Sequence, residues 1–482
     1  MSNLNKEIRT ATKWSTLTEV AAKLVTPITT MVLARILNPE AFGVLVTATM
    51  IISFAEIFTD AGFQKYIIQH QFDSEAEKKS YVNVAFWSNF VMSVLIWGVI
   101  VVFSEDLATL LGNKGHGNVI SISCFCIPLA AFSSIQMSLF KKSLNFKTLF
   151  KVRIVGIMIP IVVTIPLAFI TRSYWALITG IIALHVSNAI LLTVNSDWKP
   201  QWQYSFKKLR KMLSFSIWSM IETLVIWLGG HIDLFVIGTL LSQHYLGIYR
   251  TSMTSVNQMM AIITAATTPI LFSSLSRLQN NKEEFDMLFF KFQKIISLLV
   301  IPTGVCIFIF RDFITNILLG SQWAEGAYFL GLWGLTSSVT IVLSHYSSEV
   351  YRAKGKPQLS VLSHVLHIAF VIPVVLWAIN YSFDFLCTAK SLARLQGIIV
   401  NLIIMSVCIK MSALSLLKNV LPAIVASISM LAVLLLPETT NVALTIMYMV
   451  IAIGIYLSII CLFNKERKIL FNFRQIITKR KL

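Results

Sequence analysis

The sequence contains little charge for its length of 482 residues. Asp, Glu, Lys and Arg together make up 13% of it, about half of the roughly 25% that soluble domains contain. Hydrophobic residues make up 56%, and the mean hydropathy is +0.75. This balance excludes an ordinary soluble domain and indicates a protein whose outer surface contacts lipid.

Cysteine is scarce, and its positions do not suggest a metal site. The six cysteines all lie within apolar stretches and lack the paired thiols and nearby histidines of metal sites. Cys124 and Cys126 are two residues apart, which places them on different faces of a helix. We therefore expect all six to be small core residues, and we predict no metal and no cofactor.

Acidic residues are few relative to basic ones, 22 against 40, which gives a net charge of +18. A basic excess can indicate nucleic-acid binding, but the positions of the basic residues favour another cause. Of the 40, 32 fall in the two termini and in alternate loops between apolar stretches, and four fall in the opposite loops. Lys and Arg accumulate in cytoplasmic loops. The pattern predicts cytoplasmic termini and no nucleic-acid partner.

Apolar stretches of about 20 residues, the length with which a helix crosses the roughly 30 Å hydrocarbon layer, recur along the chain. Short alternating segments, which a membrane barrel would require, are not evident. We therefore predict an all-α polytopic membrane protein. Its fourteen predicted spans are 14–36, 43–63, 81–103, 118–139, 150–170, 174–194, 213–237, 246–270, 288–310, 324–346, 358–379, 385–409, 419–436 and 441–463.

The loops opposite to the basic ones are all short, and the longest covers about residues 104–117. Membrane enzymes that polymerise or ligate glycans outside the cell usually carry their catalytic groups on a large external loop. No paired-carboxylate or nucleotide-binding constellation appears either. The sequence therefore predicts a transporter and not an enzyme.

A short motif occurs twice, 204 residues apart. Residues 37–44 (LNPEAFGV) and 241–248 (LSQHYLGI) each place a polar turn, an apolar residue and a glycine after an odd-numbered span. Internal repeats are typical of secondary transporters, whose substrate site lies between the repeats. The repeat predicts an N-terminal six-helix lobe at 1–197, a C-terminal six-helix lobe at 198–409, and two appended helices with a basic cytoplasmic tail at 410–482.

Four predicted spans carry polar residues at helical spacing, so that these residues share one face of each helix. They are Glu19, Lys23, Thr26 and Thr30 in span 1; Thr49, Ser53, Glu56 and Asp60 in span 2; Ser219, Glu222, Gly229 and Asp233 in span 7; and Arg250, Thr254 and Asn257 in span 8. Because a charge at mid-bilayer costs at least about 2.5 kcal/mol, such residues usually face water or a partner. We predict a hydrated cavity between the lobes, lined by these four stripes.

Lys23 and Arg250 are the candidate anion-binding residues, because each adds a positive charge to a stripe. Two alternatives are open. Glu19 and Lys23 can form an i,i+4 pair on the helix surface, and Arg250 can extend its charged end to the membrane interface.

The remaining charged residues of the spans have two interpretations as well. Glu56, Asp60 and Asp233 can bind a coupling ion, H+ or Na+, or can balance the bases. In span 12, Lys390 and Arg394 lie four residues apart. They can line the cavity or reach an anionic lipid headgroup.

Several motifs, in this order and spacing, resemble those of Wzx-type polysaccharide exporters, the lipid-linked oligosaccharide flippases. They are LARILNPEAFG at 33–43, DAGF at 60–63, YIIQ at 66–69, DLFVIG at 233–238, LGIY at 246–249, residues 269–276 and AKGK at 353–356. The resemblance covers essentially the whole chain and is closest to the WzxC/TuaB-like branch of the multidrug/oligosaccharidyl-lipid/polysaccharide exporter superfamily. Asn38 stands where the family often has Gly, and either residue suits a turn.

This resemblance implies a MATE-like fold with two six-helix bundles. It also implies a substrate, an undecaprenyl-pyrophosphate-linked oligosaccharide that is moved to the outer leaflet of the bacterial cytoplasmic (inner) membrane. The glycan would serve O-antigen, capsule, exopolysaccharide or teichuronic acid assembly. The implied partners are this substrate, membrane lipids and other polysaccharide-assembly proteins.

Two other functions are kept as alternatives. A cation-coupled multidrug exporter of the same fold would need a cavity dominated by acidic and aromatic side chains, whereas two of the four stripes here carry a base. A membrane glycan polymerase or glycosyltransferase would need the external loop and the catalytic groups that the sequence lacks.

Overall fold

The structure is a computed structural model that describes residues 2–60, 62–437, 439, 441–464 and 466–467. All regular elements among these residues are helical, which confirms the predicted all-α class. The chain divides into two compact units, Met1–Arg250 and Thr251–Leu482, and each is described by itself. The lobe boundary at 197/198 stays a prediction.

The helices of the first unit are α1 (Ser2–Ile36), α2 (Pro39–Asp60), α3 (Phe63–Gln69), α4 (Glu75–Val102), α5 (Ser104–Leu110), α6 (Gly117–Ser123), α7 (Cys126–Lys142), α8 (Phe146–Ile159), α9 (Ile165–Thr171), α10 (Trp175–Asn195) and α11 (Phe206–Leu240). A π-helical turn, Pro160–Thr164, joins α8 to α9. It begins at a proline, which has no N–H to continue the α-helical bonding. Helix α12 (Gln243–Arg277) begins in the first unit and continues into the second.

The further helices of the second unit are α13 (Lys282–Ile309), α14 (Arg311–Leu318), α15 (Ala327–Thr340), α16 (Ser347–Ala353), α17 (Gln358–Ala378), α18 (Phe383–Ala393), α19 (Gln396–Cys408), α20 (Ala413–Ile428) and α21 (Val442–Cys461). A 3-10 turn precedes α15, at Ser321–Gly326, and another follows α20, at Ser429–Leu435. A π-helical turn, Ile341–His345, joins α15 to α16.

Twelve helical segments of the described chain are long and apolar enough to cross a membrane. They coincide with twelve of the fourteen predicted spans. The other two predicted spans, 14–36 and 213–237, fall within α1 and α11, which are 35 residues long each. Within α11, Ile226–Leu240 forms a shorter apolar helical stretch. The total of fourteen stays a prediction.

The outward faces of these helices are apolar. Ile170, Val194 and Leu435, for example, are 79%, 72% and 88% exposed. Such extensive apolar exposure would be unfavourable in water, and lipid is the environment that it fits. The protein is therefore a multi-pass membrane protein.

Local sequence explains where several helices begin. Ser74 precedes α4, and its hydroxyl accepts a bond from the N–H of Glu77 at 3.1 Å. Between α1 and α2, the Asn38 side chain accepts a bond from the N–H of Ala41 at 3.2 Å, and Pro39 is the first residue of α2. Such caps satisfy N–H groups that have no partner within the helix. Asn38 thus suits this turn, as expected.

Candidate functional site

The two copies of the repeated motif contact each other within the first unit. A Cβ on Gly43 would lie 2.0 Å from the carbonyl oxygen of Gln243, and a Cβ on Gly247 would lie 1.9 Å from that of Pro39. With the offset of 204 residues, position 243 is equivalent to 39 and position 247 to 43. The two contacts are therefore reciprocal, as a local two-fold relation between the turns requires. Only glycine leaves room for the facing backbone at both positions.

Side chains reinforce the contact between the turns. Glu40 Oε1 lies 2.6 Å from His244 Nδ1, and these two positions are also equivalent in the repeat. The Thr47 hydroxyl donates to Gln243 Oε1 at 3.0 Å, and Gln243 Nε2 donates to the carbonyl of Leu111 at 2.9 Å. Gln243 thus ties the start of α12 both to α2 and to the residue that follows α5.

The stripe predicted in span 2 contacts α11 through an aromatic residue. Trp227 Nε1 donates to the Ser53 hydroxyl at 2.9 Å. The same indole packs against Phe54, with ring centroids 4.9 Å apart, and stacks on His231 at 4.7 Å. Ser53 is therefore held by α11 through the Trp227 indole.

Glu56 and Asp60 lie one helical turn apart and line a cavity of about 220 Å³ inside the first unit. His185 and the amides of Asn89 and Asn188 share the lining. Both carboxylates are half-buried. A small polar cavity with two carboxylates suits a proton or a small cation, and the coupling role of these residues stays a prediction.

Asp233 belongs to α11, is 2% exposed and contacts α12. Its Oδ2 accepts a bond from the Tyr249 hydroxyl at 2.8 Å, and its Oδ1 accepts one from the N–H of Leu234 at 2.9 Å. The bond to Tyr249 joins the DLFVIG motif to the LGIY motif, which gives their spacing a structural reason. The cavity-lining role of Asp233 stays a prediction, and the Glu222 side chain lies outside the described part of the structure.

Lys23 and Arg250, the candidate anion-binding residues, are both half-buried and both belong to the first unit. On the stripe of α1, the Thr30 hydroxyl donates to the carbonyl of Thr26 at 2.9 Å, and Thr26 itself is exposed. The side chain of Glu19 lies outside the described residues. The anion-binding roles of Lys23 and Arg250 therefore remain predictions.

Arg394 and Asn257 meet through a tryptophan of the second unit. The Arg394 guanidinium carbon lies 3.9 Å from the ring centroid of Trp333, and Nη1 donates to the Ser337 hydroxyl at 2.6 Å. Trp333 Nε1 in turn donates to Asn257 Oδ1 at 3.2 Å. Trp333 thus links the predicted stripe of span 8 to span 12. Lys390, one turn before Arg394, is 7% exposed.

Arg394 also lines a cavity of about 410 Å³ that lies wholly among residues of the second unit. Its other charged or titratable lining residues are His345, Glu349, Arg352, His364 and His367.

The sequence-based search for polar stripes did not identify this cavity. The signal was present, because His345, Glu349 and Arg352 step by four and three residues, and His364 and His367 step by three. Glu349 and Arg352 lie beyond residue 346, where predicted span 10 ends, so the stripe does not stand out as one within a span.

A multi-pass helical architecture with charged residues inside the spans and an internal repeat is typical of membrane transporters. The family model of polysaccharide biosynthesis proteins matches residues 32–327 of the chain. The chain belongs to this family of polysaccharide biosynthesis proteins.

Two relatives with similar sequences have names that refer to a cps region or to lipopolysaccharide biosynthesis. An "Uncharacterized membrane protein in cps region" of Klebsiella pneumoniae is 25% identical, with 76% of this chain and 75% of the relative covered. The "Lipopolysaccharide biosynthesis protein WzxC" of Escherichia coli is 18% identical, with coverage of 67% and 65%. The resemblance to Wzx-type exporters is confirmed.

Two solved structures are similar in fold. A lipid II flippase MurJ in an inward closed conformation superposes with a TM-score of 0.73 and 14% identity, covering 94% of this chain and 98% of that one. An inward-facing multidrug resistance MATE family transporter superposes with a TM-score of 0.62 and 11% identity, covering 82% and 96%. The predicted MATE-like fold is confirmed.

Proposed function

We propose that the protein is a flippase that moves an undecaprenyl-pyrophosphate-linked oligosaccharide from the cytoplasmic to the outer leaflet by alternating access. The observation that carries the proposal is membership of the polysaccharide biosynthesis family, matched over residues 32–327. The names of the relatives, which refer to a cps region and to lipopolysaccharide biosynthesis, support this substrate class.

The charged residues inside the spans are compatible with an anionic head group. Lys23 and Arg250 would stabilise the pyrophosphate, because a positive charge in a partly dry environment attracts an anion several-fold more strongly than in water. Moving two negative charges outward across an inside-negative potential of about 100 mV releases roughly 4–5 kcal/mol. The membrane potential would therefore help to drive export. The acidic cavity around Glu56 and Asp60 would hold H+ or Na+ if transport is ion-coupled.

The protein would act as a transporter and not as an enzyme, in the bacterial cytoplasmic membrane with both termini in the cytoplasm. The positions of the basic residues support this orientation. Its other partners would be membrane lipids and the proteins that assemble the finished polysaccharide.

Transport in proteoliposomes tests the proposal. The purified protein is reconstituted with an undecaprenyl-pyrophosphate-linked oligosaccharide that carries a fluorescent label on the glycan. An impermeant glycan-cleaving enzyme outside then measures how much glycan crosses with time. We expect faster crossing than in protein-free vesicles and slower crossing with Lys23→Glu. Movement of a cationic dye without movement of the lipid-linked glycan would instead support the multidrug alternative.

A further inference from the structure

We propose that the cavity around Arg394 in the second unit, named here the Arg394 cavity, is a binding site for a phosphate-class anion. The ligand is a phosphate or diphosphate group, either free in solution or borne on a lipid head group. This inference goes beyond the proposed function, because such a site binds the anion whatever the protein transports.

The charges that line the cavity favour an anion. Arg394 and Arg352 are guanidinium groups and keep their charge at every physiological pH. Glu349 is the one carboxylate among the described lining residues, and Arg352 Nη2 contacts Glu349 Oε1 directly. The lining therefore holds two guanidinium groups and one carboxylate, and that carboxylate is in contact with Arg352.

The position of Arg394 is fixed before any ligand arrives. Trp333 covers one face of the guanidinium at 3.9 Å, and the Ser337 hydroxyl accepts a bond from Nη1 at 2.6 Å. A guanidinium carries five N–H donors in one plane, so these two contacts are compatible with bidentate binding of an oxyanion. Holding the side chain in place lowers the entropy cost of binding.

The walls of the cavity are held by an asparagine. Asn401 Nδ2 donates to the hydroxyls of Ser344 and Ser363, both at 2.8 Å, and to the carbonyl of Gly397 at 2.9 Å. Its Oδ1 accepts a bond from the Tyr351 hydroxyl at 2.8 Å. Asn401 therefore connects α16, α17 and α19 with the π-helical turn Ile341–His345, and it holds these elements in place around the cavity.

The three histidines complete the polar lining and fit the same ligand. Each neutral imidazole offers one N–H donor, and its charged form offers two. His367 Nδ1 lies 3.3 Å from Gln396 Oε1, which orients that ring. No group of three or more His, Cys, Asp or Glu residues that could hold a metal occurs in the part of the chain that the structure describes. Together with the two arginines, this disfavours a cation as the ligand.

The Arg394 cavity is large enough for a small anion and has one solvent-accessible end. Its volume of about 410 Å³ lies within the range of roughly 300–1,000 Å³ for small-molecule sites. The Arg352 side chain is 53% exposed, whereas Glu349 is 3% exposed. Arg352 thus lies at the accessible end of the cavity and is the first residue of the basic segment 352–356, where an anion would enter.

Binding measurements on the full-length protein in detergent test the proposal. Inorganic pyrophosphate and inorganic phosphate are titrated by calorimetry at constant ionic strength, with chloride as the reference anion. We expect saturable binding of pyrophosphate. Dihexanoyl phosphatidic acid is titrated in parallel, because tighter binding of this lipid than of free phosphate would identify the head group of a lipid as the source.

Three variants show whether each charge strengthens or weakens pyrophosphate binding. Arg394→Gln is expected to weaken pyrophosphate binding about tenfold or more, because a charge-assisted bond is lost. Glu349→Gln keeps the shape of the side chain but removes its negative charge, so binding should strengthen. Arg311→Gln is the matched control, since Arg311 also packs near an aromatic ring, at 5.5 Å from that of Phe308, and lies outside the cavity. Its binding should equal that of the unaltered protein.

Pyrophosphate binding should weaken in Arg394→Gln and strengthen in Glu349→Gln. These opposite changes distinguish an anion site from loss of folding, because a misfolded variant would not bind more tightly. Absence of saturable pyrophosphate binding would overturn the inference, and so would unchanged binding in Arg394→Gln or weaker binding in Glu349→Gln. These measurements involve no transport. Their failure would therefore leave the flippase proposal intact, and a failed transport assay would leave the binding result intact.

Discussion

Glu40 and His244 lie 204 positions apart in the sequence, and their side chains meet at 2.6 Å between Oε1 and Nδ1. They occupy equivalent positions of the two repeat turns. The side chains are 49% and 27% exposed, respectively. Solvent-accessible side-chain pairs, even when both members are charged, contribute little to stability. The glycines on either side, in contrast, allow the backbones to touch. The glycines should therefore contribute more to stability than the Glu40–His244 pair.

Substitution of the glycines tests this ranking. Gly43→Ala or Gly247→Ala would place a Cβ about 2 Å from a backbone oxygen, and overpacking of this kind costs typically 1–3 kcal/mol. We expect a clearly lower melting temperature in detergent for each. Gly98→Ala, which adds a Cβ with nothing within 4 Å, is the matched control and should melt at the normal temperature or above. Equal effects at all three positions would contradict the tight contact.

The Glu40–His244 pair should tolerate substitution with little loss of stability. Glu40→Gln replaces the carboxylate and His244→Gln replaces the imidazole of a solvent-accessible contact, so we expect a loss of at most about 1 kcal/mol in each. Thermal unfolding of the two single variants and of the double variant measures the coupling between them. A coupling energy of several kcal/mol would show that the pair contributes much more than its exposure suggests.

The sign of charge at the candidate anion site distinguishes a flippase from a drug exporter. Arg250→Glu should impair glycan export far more than Arg250→Gln, because reversal turns an attraction into a repulsion. Lys23→Glu should behave in the same way, and Lys23→Ala should impair export at normal protein levels. Glu56→Gln and Asp233→Asn should do less, unless one of these acids carries a coupling ion. The measurement is surface glycan in a complemented deletion strain, with retained lipid-linked precursor as a second readout.

Normal export by both Lys23→Glu and Arg250→Glu, together with loss of export in Asp233→Asn, would contradict the anion model. A cation-coupled exporter would then be the better interpretation. Because Asp233 is buried against Tyr249, the Asp233→Asn protein must first be shown to melt normally. Tyr249→Phe is the companion variant, since it removes the same hydrogen bond and keeps the carboxylate.

Orientation in the membrane can be tested with single cysteines. On a background without the six native cysteines, Lys207→Cys should react with impermeant thiol reagents only after the cytoplasmic side is opened. Asp106→Cys should react in intact cells. Both residues are exposed, so that the reagent has access in either case. External labelling at position 207 would overturn the predicted topology.

The sequence predicts the helices well, because a span has a fixed length and a simple composition. Helical spacing shows that Glu56 and Asp60 share a face. It cannot show what that face points to, and the structure places both in a cavity inside the first unit. Contacts between distant residues, such as Arg394 on Trp333, depend on how the helices pack and leave no periodic signal in the sequence.

Two further features involve charged residues at or beyond the ends of predicted spans. Lys142 is one of the basic residues whose positions predict the topology, and its ammonium group also donates to the carbonyls of Ile67 and His70, at 2.8 and 2.5 Å, and so caps α3. Glu349 and Arg352 lie just beyond the predicted span 324–346, so the stripe that they form with His345 crosses a predicted span boundary. The distribution of basic residues predicts which side of the membrane a loop faces. The contacts that each charged side chain makes depend on how the helices pack.

The reciprocal contact of the repeat turns has a consequence for the symmetry of the molecule. In a dimer of two identical chains, a residue on the two-fold axis meets its own copy, so that glutamate would face glutamate and the two charges would repel. Joining both turns in one chain removes this restriction, and glutamate faces histidine instead. Off the axis, each glycine faces the backbone of the other turn, so a larger residue at either position would require a compensating change in the opposite half. At the axis, where Glu40 meets His244, the two halves of the chain can therefore carry different side chains. Beside the axis, a change at Gly43 or Gly247 requires a matching change in the other half.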